Sequence, residues 1–206
     1  MMEITCIGHS GFLVELPEIN LIFDYFTDKT GVITREIFKN KPTCVFVSHD
    51  HQDHYNKEIF NWRKFGDVTY ILEEGCATSA GVDVIKVGEG ISLDINGGRV
   101  KINTFGSTDE GVSFLVNVNG TVLFHAGDLN CWYWADKSTP EELEQAEDAY
   151  LAILFQIDGH KIDVAFIPED PRLGEHAGRG IQQFKEIVNP GRIVPMHFPG
   201  NDGIKY

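Results

Sequence analysis

The first half of the chain alternates short apolar runs with turn residues. Residues 4–7, 12–16 and 21–23 are mostly apolar and are separated by glycine- and proline-containing segments, which predicts three strands that open a sheet as a meander. Residues 44–47, Cys-Val-Phe-Val, are continuously apolar, as in a strand that is buried on both faces. This strand gives way abruptly to a run of polar residues that begins at Ser48.

The pattern continues with helices among further strands. Apolar positions at 59, 60, 62 and 65 predict a short helix over residues 56–65 that stops at Gly66. Thr139-Pro140-Glu141-Glu142 reads as a capping box that opens a helix over residues 140–157. Asn119-Gly120 predicts a tight hairpin between strands 112–118 and 121–124. Further strands are predicted at 68–72, 82–87, 91–95, 100–105, 162–167 and 192–196, and a further helix at 180–188.

Each half of the chain therefore contains several strands together with helices. This order favours an α/β (α+β) protein with a four-layer αββα sandwich over a regularly alternating, doubly wound sheet. A chain of 206 residues can bury one full core, so we expect a single domain over residues 1–206.

The composition of the chain limits the kinds of partner that it is expected to bind. The formal net charge of −14 disfavours nucleic acid and anionic lipid surfaces, and basic residues are scattered rather than clustered. No stretch has the roughly 20 apolar residues that cross a bilayer, and the start lacks a basic segment followed by an apolar one, so we expect a cytoplasmic protein. The four cysteines form no C-x-x-C pair, and those at positions 6 and 44 lie in apolar runs as expected of core thiols.

Polar chemistry concentrates where predicted strands end. Three histidines and two aspartates fall within six residues, His49-Asp50-His51-Gln52-Asp53-His54, directly after the buried strand. In such a loop, side chains at positions i and i+2 can converge on one ion while the adjacent Asp53 and His54 turn toward a second. Imidazole and carboxylate donors suit Zn²⁺ and its neighbours. A solvated polar loop is the simpler interpretation, but it does not explain this density of ligand-type residues.

The six residues match the H-x-H-x-D-H pattern, and the chain is identified on this basis as resembling the metallo-β-lactamase superfamily. Other residues of the family pattern also occur in the expected order along the chain. They are Asp24 after an early strand, Gly127-Asp128 after the hairpin and His197 after a late strand. The phrases around His9, Asp128 and His197 are most similar to the L-ascorbate-6-phosphate lactonase-like branch.

The resemblance implies a role for each matching residue. His49 and His51 would bind a first metal, Asp53, His54 and His197 a second, and Asp128 would bridge the two. Asp24 would orient a histidine ligand. One or two Zn²⁺ ions are expected, with Mn²⁺ or Fe²⁺ as alternatives.

The chain departs from the family in the loop of residues 106–111. Family members usually place a histidine for the first metal there, whereas this loop has none. Either Asp109 replaces the missing ligand, or the first site is weak, completed by water, or empty.

Other residues carry alternative interpretations. His9 is expected to contact substrate or support the metal ligands, or else to be a surface turn residue. His125 is expected to support a metal ligand or to be buried, rather than to bind metal itself. His176 resembles the histidine that donates to a substrate oxyanion or leaving group in this branch. Trp132, Tyr133 and Trp134 are candidate pocket walls. Arg172 and Arg179 are either solvated or bind an anion, and His160 is expected in an exposed turn.

The resemblance implies hydrolysis by a metal-activated water acting on a small ester, lactone or phosphoester, with Asp53 and Asp128 relaying the proton and His176 assisting. A non-catalytic or regulatory metal-binding protein is the alternative, supported by the missing histidine. An RNA-processing nuclease would usually carry an added RNA-binding segment, and a di-iron oxygen-reducing protein typically has glutamate in place of His51. The partner expected is a small molecule, with a homo-oligomer left open.

Overall fold

The structure is a computed structural model that describes residues 2–206, so Met1, the start of the predicted single domain, lies outside the described residues. Over that range the chain falls into two compact units, residues 2–87 together with Pro199–Tyr206, and Gly88–Phe198. In the described residues the strands form two six-stranded sheets. The prediction that each half of the chain has several strands together with helices is confirmed. The expectation that the whole chain forms a single domain stays a prediction.

The sheet of the first unit follows the order of the chain from one edge to the other. Its strands are β1 (Glu3–Gly8), β2 (Gly11–Glu15), β3 (Asn20–Phe23), β4 (Thr43–Val47), β5 (Val68–Glu73) and β6 (Val84–Val87). The first three strands pair antiparallel, which confirms the meander, whereas β3 to β6 pair parallel. All five residues of β4 are buried, as its unbroken apolar run predicts. Because β3 and β4 are parallel, their carboxyl ends meet at one edge of the sheet.

The helical segments of this unit are short. The predicted helix at 56–65 is a 3₁₀ helix, Lys57–Lys64, while α1 (Arg35–Asn40), only six residues long, was not predicted. Gly66 follows the 3₁₀ helix because a Cβ there would lie 1.7 Å from the carbonyl oxygen of Phe38. The glycine therefore allows a close approach to α1, and does not adopt the left-handed conformation of many glycine helix stops.

The sheet of the second unit also follows chain order. Its strands are β7 (Ser92–Ile95), β8 (Val100–Phe105), β9 (Ser113–Val118), β10 (Thr121–His125), β11 (Val164–Pro168) and β12 (Ile193–Met196). Strands β7 to β10 are antiparallel, and β10, β11 and β12 are parallel. Asn119 and Gly120 both have positive φ, 49° and 94°, as in the hairpin turn that their sequence predicts.

Helices connect the parallel strands of the second unit. The helix α2 (Pro140–Ile157) has the predicted bounds and capping box: Glu142 N–H donates to Thr139 Oγ1 at 3.3 Å, and Thr139 N–H donates to Glu142 Oε2 at 2.8 Å. The helix α3 (Arg179–Ile187) lies one residue earlier than predicted, and a 3₁₀ segment, Pro171–His176, was not predicted. In the described part of the chain, no helix combines the length and the apolar character needed to span a membrane.

Candidate metal centre

The loop after β4 places two of its histidines in the interior and two other predicted ligands nearer to solvent. His49 and His54 are 1% and 0% exposed, whereas His51 is partly exposed and Asp53 is exposed. The N–H groups of His54 and Tyr55 both donate to the carbonyl of His51, at 3.1 and 3.0 Å, which closes the loop into a tight turn. The sequence cluster is thus a compact, structured turn.

Asp24 organises the buried histidines. It is fully buried at the end of β3, and it accepts hydrogen bonds from Ser48 N–H at 2.8 Å and Ser48 Oγ at 2.6 Å. His54 Nδ1 lies 2.8 Å from the same carboxylate, and His49 Nδ1 lies 2.9 Å from Ser48 Oγ. Asp24 therefore orients one predicted ligand directly and a second through Ser48, as the sequence analysis predicts for this residue.

These contacts fix the tautomer of both rings. The Ser48 hydroxyl donates its single hydrogen to Asp24, so its oxygen accepts a hydrogen bond from His49 Nδ1–H. Asp24 likewise accepts a hydrogen bond from His54 Nδ1–H. Each imidazole then carries its lone pair on Nε2, the form in which histidine binds a metal.

The spacing of donor atoms in the loop fits a metal ion. His49 Nε2 lies 2.9 Å from His51 Nδ1, with the two rings nearly perpendicular at 81°. Neighbouring nitrogens in a tetrahedral zinc site lie roughly 3.3 Å apart when each is about 2.0–2.1 Å from the ion. Two imidazole nitrogens this close therefore suit two ligands of one ion.

His9 supports Asp53 in the same unit. Its Nε2 lies 3.3 Å from Asp53 Oδ2, and its ring meets the ring of His54 edge-on at 5.6 Å. The hydrogen bond from His9 is the main reason that the pKa of Asp53 is lowered, so this carboxyl is ionised at neutral pH. The backbone of His9 has φ of 52° and is held by Asn201, which accepts from His9 N–H at 3.1 Å and donates to His9 O at 2.7 Å. The contacts of His9 therefore favour a role in supporting a predicted ligand over that of a surface turn residue.

In the second unit, the ends of β10 and β12 bring Asp128 and His197 together. His197 Nε2 lies 3.3 Å from Asp128 Oδ1, and both residues are 4% exposed. Trp132 closes over the pair, since its Nε1 donates to the carbonyl of Asp128 at 3.0 Å and its ring meets His197 edge-on at 5.6 Å. This separation of an imidazole nitrogen from a carboxylate oxygen also suits neighbouring ligands of one ion.

Asp170 is a functional candidate that the sequence analysis missed. It lies just after β11, is 1% exposed, and places Oδ2 at 3.1 Å from His197 Nδ1. Arg172 donates through Nε to both carboxylate oxygens, at 2.9 and 2.8 Å. Burial alone would raise the pKa of Asp170, but the hydrogen bonds from Arg172 outweigh burial and hold that pKa below its ordinary value. The charged carboxylate thus orients His197 as Asp24 orients His54.

The remaining predicted histidines lie apart from these contacts. His125 is fully buried, as predicted, and its Nδ1 accepts from Gly127 N–H at 3.2 Å, which shapes the turn that leads to Asp128. The ring of His176 contacts that of Tyr133 at a tilt of 56°, with centroids 4.8 Å apart, and its Nε2 lies 3.6 Å from Glu175 Oε1. No contact of His176 tests its predicted catalytic role, which stays a prediction.

The loop without the family histidine borders a cavity of about 290 Å³ within the second unit. Its walls are Thr108, Asp109, Asp128, Trp132, Trp134 and Arg172. The predicted pocket wall is thus confirmed for two aromatic residues of three. The Thr108 hydroxyl already hydrogen-bonds the backbone of Asn130, since it donates to Asn130 O at 2.6 Å and accepts from Asn130 N–H at 3.0 Å. Asp109, by contrast, is exposed. Asp109 is therefore the better candidate for the missing ligand, and that role stays a prediction.

Solved structures share this fold. The metallo hydrolase Igni18 of Ignicoccus hospitalis matches 96% of this chain and 82% of its own, with a TM-score of 0.64 and 20% identity. The diiron β-hydroxylase CmlA of Streptomyces venezuelae matches 96% of this chain and 45% of its own, with a TM-score of 0.63 and 10% identity. At these identities the likeness establishes the fold alone, and it confirms the predicted fold.

Sequence comparison identifies the family. A metal-dependent hydrolase of Methanosarcina barkeri is 25% identical over 218 residues, which cover 99% of this chain and 86% of that protein. The family model described as the beta-lactamase superfamily domain matches residues 3–147. The resemblance to the lactonase branch stays a prediction, while the wider assignment is confirmed: the chain belongs to the beta-lactamase superfamily.

Proposed function

We propose that the protein is a metal-dependent hydrolase that cleaves a small ester, lactone or phosphoester. The observation that carries the proposal is the pairing of a buried carboxylate with a predicted histidine ligand in each unit, Asp24 with His54 and Asp170 with His197. Such pairs fix the tautomer and orientation that metal-binding histidines require. Relatives that cover nearly the whole chain are named metal-dependent hydrolases, which agrees with this activity.

We propose that six side chains bind metal, four in the H-x-H-x-D-H signature and two in the later motifs that match the family. We propose zinc as the metal, since imidazole and carboxylate donors suit it. A metal held by these residues would lower the pKa of a water molecule toward neutrality and polarise an oxygen of the substrate. The proposed ligands are His49, His51, Asp53, His54, Asp128 and His197.

The proton chemistry falls to carboxylates and one imidazole. His9 stabilises the charged form of Asp53, and we propose that this carboxylate receives the proton of the attacking water. Asp128, beside His197, is a second candidate for that role. His176, whose side chain is 27% exposed, is the proposed donor to the leaving group.

Metal analysis and an activity panel test the proposal together. We expect the purified, metal-supplemented protein to hold a transition metal and to hydrolyse at least one lactone, ester or phosphodiester. His54→Ala and His197→Ala should each lose metal and turnover and keep the circular dichroism spectrum of the wild type. His160→Ala, at an exposed histidine, is the matched control. Wild-type turnover in either variant, or less than about a tenth of an equivalent of metal in the wild type, would contradict the assignment.

A non-catalytic metal-binding protein is the second candidate, because the loop at residues 106–111 lacks the family histidine. Full metal occupancy without turnover on any class of substrate would favour it over a hydrolase. The same elemental analysis separates zinc from iron and manganese.

A further inference from the structure

The cavity next to Asp128 is lined by an arginine and two tryptophans, although the protein as a whole is acidic. A volume of about 290 Å³ suits part of a small molecule. Trp132, Trp134 and Arg172 line it, together with Asp109 and Asp128. Arg172 is the cationic side chain among its described lining residues, in a chain of net charge −14.

Arg172 is held in place and yet is accessible. Asp170 fixes one side of the guanidinium through Nε, and the guanidinium carbon lies 5.6 Å from the centre of the Trp134 ring. Even so, 65% of the Arg172 side chain is exposed. A guanidinium carries five N–H donors, so it can bind a second anion while it keeps Asp170. Because the group is already ordered, binding loses little side-chain entropy.

The aromatic walls shape the space beside this cation. The rings of Trp132 and Trp134 are nearly parallel, at 5°, with centroids 6.1 Å apart, and both residues are partly exposed. Lys137 Nζ lies 4.8 Å from the Trp134 ring, which adds a second positive charge nearby. Indole surfaces exclude water and offer a flat apolar face, so an ion pair formed beside them is less screened.

We propose that this cavity recognises an anionic group of the substrate, a carboxylate or a phosphate, and that Arg172 is the residue that determines this specificity. The apolar part of the substrate lies against Trp132 and Trp134. The two cavity carboxylates repel an anion, so its binding depends strongly on Arg172. The inference rests on the proposed function, because it identifies the cavity beside a predicted metal ligand as part of the substrate site.

Isosteric probes test the recognition step apart from catalysis. Isothermal titration calorimetry of the metal-loaded protein would compare benzoate and phenylphosphonate with neutral benzamide. We expect at least one anion to bind about tenfold or more tightly than benzamide, as for a charge-assisted hydrogen bond. The stronger of the two anions indicates whether the natural group is a carboxylate or a phosphate. Binding is measured without turnover, so a protein that lacks hydrolase activity would refute the proposed function and leave this comparison intact.

The ratio of anion to benzamide affinity is the decisive readout. Arg172→Gln should bring it to about one, while Arg99→Gln, the same charge change at an exposed arginine outside the cavity, should leave it unchanged. A fall in this ratio that is accompanied by loss of metal would show that Arg172 acts only on the structure, through Asp170 and His197, and would overturn the proposal. An unchanged ratio in Arg172→Gln, or a wild type that does not prefer either anion, overturns the proposal. If Arg172→Gln does not fold, Trp134→Leu is used in its place, because loss of the ring that contacts Arg172 should also lower the ratio of affinities. An unchanged ratio in Trp134→Leu would likewise overturn the proposal.

Discussion

Single carboxylates determine how the predicted histidine ligands are presented. Asp24 and Asp170 are almost fully buried, and each contacts the Nδ1 atom of a histidine that follows a neighbouring parallel strand. A buried charge is stable only when it is paired or hydrogen-bonded, and Ser48 and Arg172 supply those bonds. The arrangement therefore stabilises the charged carboxylate and the metal-binding tautomer of the ring together.

Replacement of Asp170 should weaken metal binding and leave the fold intact. In Asp170→Asn the charge that orients His197 is lost, so we expect metal affinity to fall about 10- to 100-fold. Competition titration with a chromogenic chelator measures this change. Asp136→Asn, the same substitution at an exposed aspartate of the same unit, should bind metal as the wild type does. Equal affinities for the two variants would show that Asp170 has no role in metal binding.

Among the elements, the segment Pro199–Tyr206 positions the turn between β1 and β2. It pairs with β1 through bonds between Cys6 N–H and Ile204 O at 2.9 Å and between Gly203 N–H and Cys6 O at 2.8 Å. Asn201, 1% exposed, then holds both backbone groups of His9. The segment thus fixes a left-handed backbone conformation that a non-glycine residue seldom adopts.

Loss of the Asn201 side chain should act through His9. We expect Asn201→Ala to lower kcat by about tenfold, since a ligand-supporting ring that moves by a fraction of an ångström loses its alignment. In a His9→Ala background the same substitution should have little further effect on kcat. Steady-state kinetics of the two single variants and the double variant measure the coupling. Fully additive losses would indicate that Asn201 acts on kcat independently of His9.

The loop of residues 106–111 should make the two predicted metal sites unequal. Without the family histidine, the site that relies on His49, His51 and Asp128 has fewer strong donors, and each lost donor weakens a site that needs three or four. We expect stepwise chelation to release metal in two phases, and Asp109→Ala to remove the weaker one. Release of two equivalents in one phase, with no effect of Asp109→Ala, would show that the loop has no consequence for metal binding.

Across the whole molecule, the four cysteines belong to the interior. All four are buried and lie outside disulfides, and burial raises the pKa of the Cys6 and Cys131 thiols to about 11. Thiolate is the reactive form, so both burial and protonation protect these side chains. The expectation of core thiols at positions 6 and 44 is confirmed.

Thiol labelling should therefore report unfolding. At pH 8 we expect the native protein to react with a thiol reagent at fewer than about one cysteine per chain, and the urea-unfolded chain at all four.

The same thiols should make stability depend on pH. Between about pH 9 and 11 the folded state keeps Cys6 and Cys131 protonated while the unfolded chain loses these protons, so the free energy of unfolding should fall as the pH rises. Denaturation curves of the metal-free protein at several pH values measure this fall. Rapid labelling of the native protein, or stability that rises over this range, would contradict the burial of these thiols.

Local signals made most of the fold readable from the sequence. Apolar runs gave the strands, Asn119-Gly120 the hairpin, and Thr139 with Glu142 the start of α2, because each depends on neighbouring residues only. The six-residue α1 and the 3₁₀ segment Pro171–His176 were missed, since one or two turns are too short to show a hydrophobic period. The bounds of α3 differed by one residue, where helix ends are least defined.

The metal ligands could be predicted for a related reason, because five ligand-type residues stand together in His49–His54. The order of the other motifs along the chain carries the superfamily pattern, and the ligand roles stay a prediction. The tertiary structure alone revealed the residues that hold them. Asp170 contacts His197 across 27 positions and Asn201 contacts His9 across 192, and nothing near either residue in the sequence identifies its partner. Hydrogen bonds of this kind form only after folding within each unit has brought together residues that are distant in the sequence. The sequence by itself therefore determined which elements form and which chemistry they carry, whereas the tertiary structure decided the orientation, tautomer and charge of the side chains that carry it.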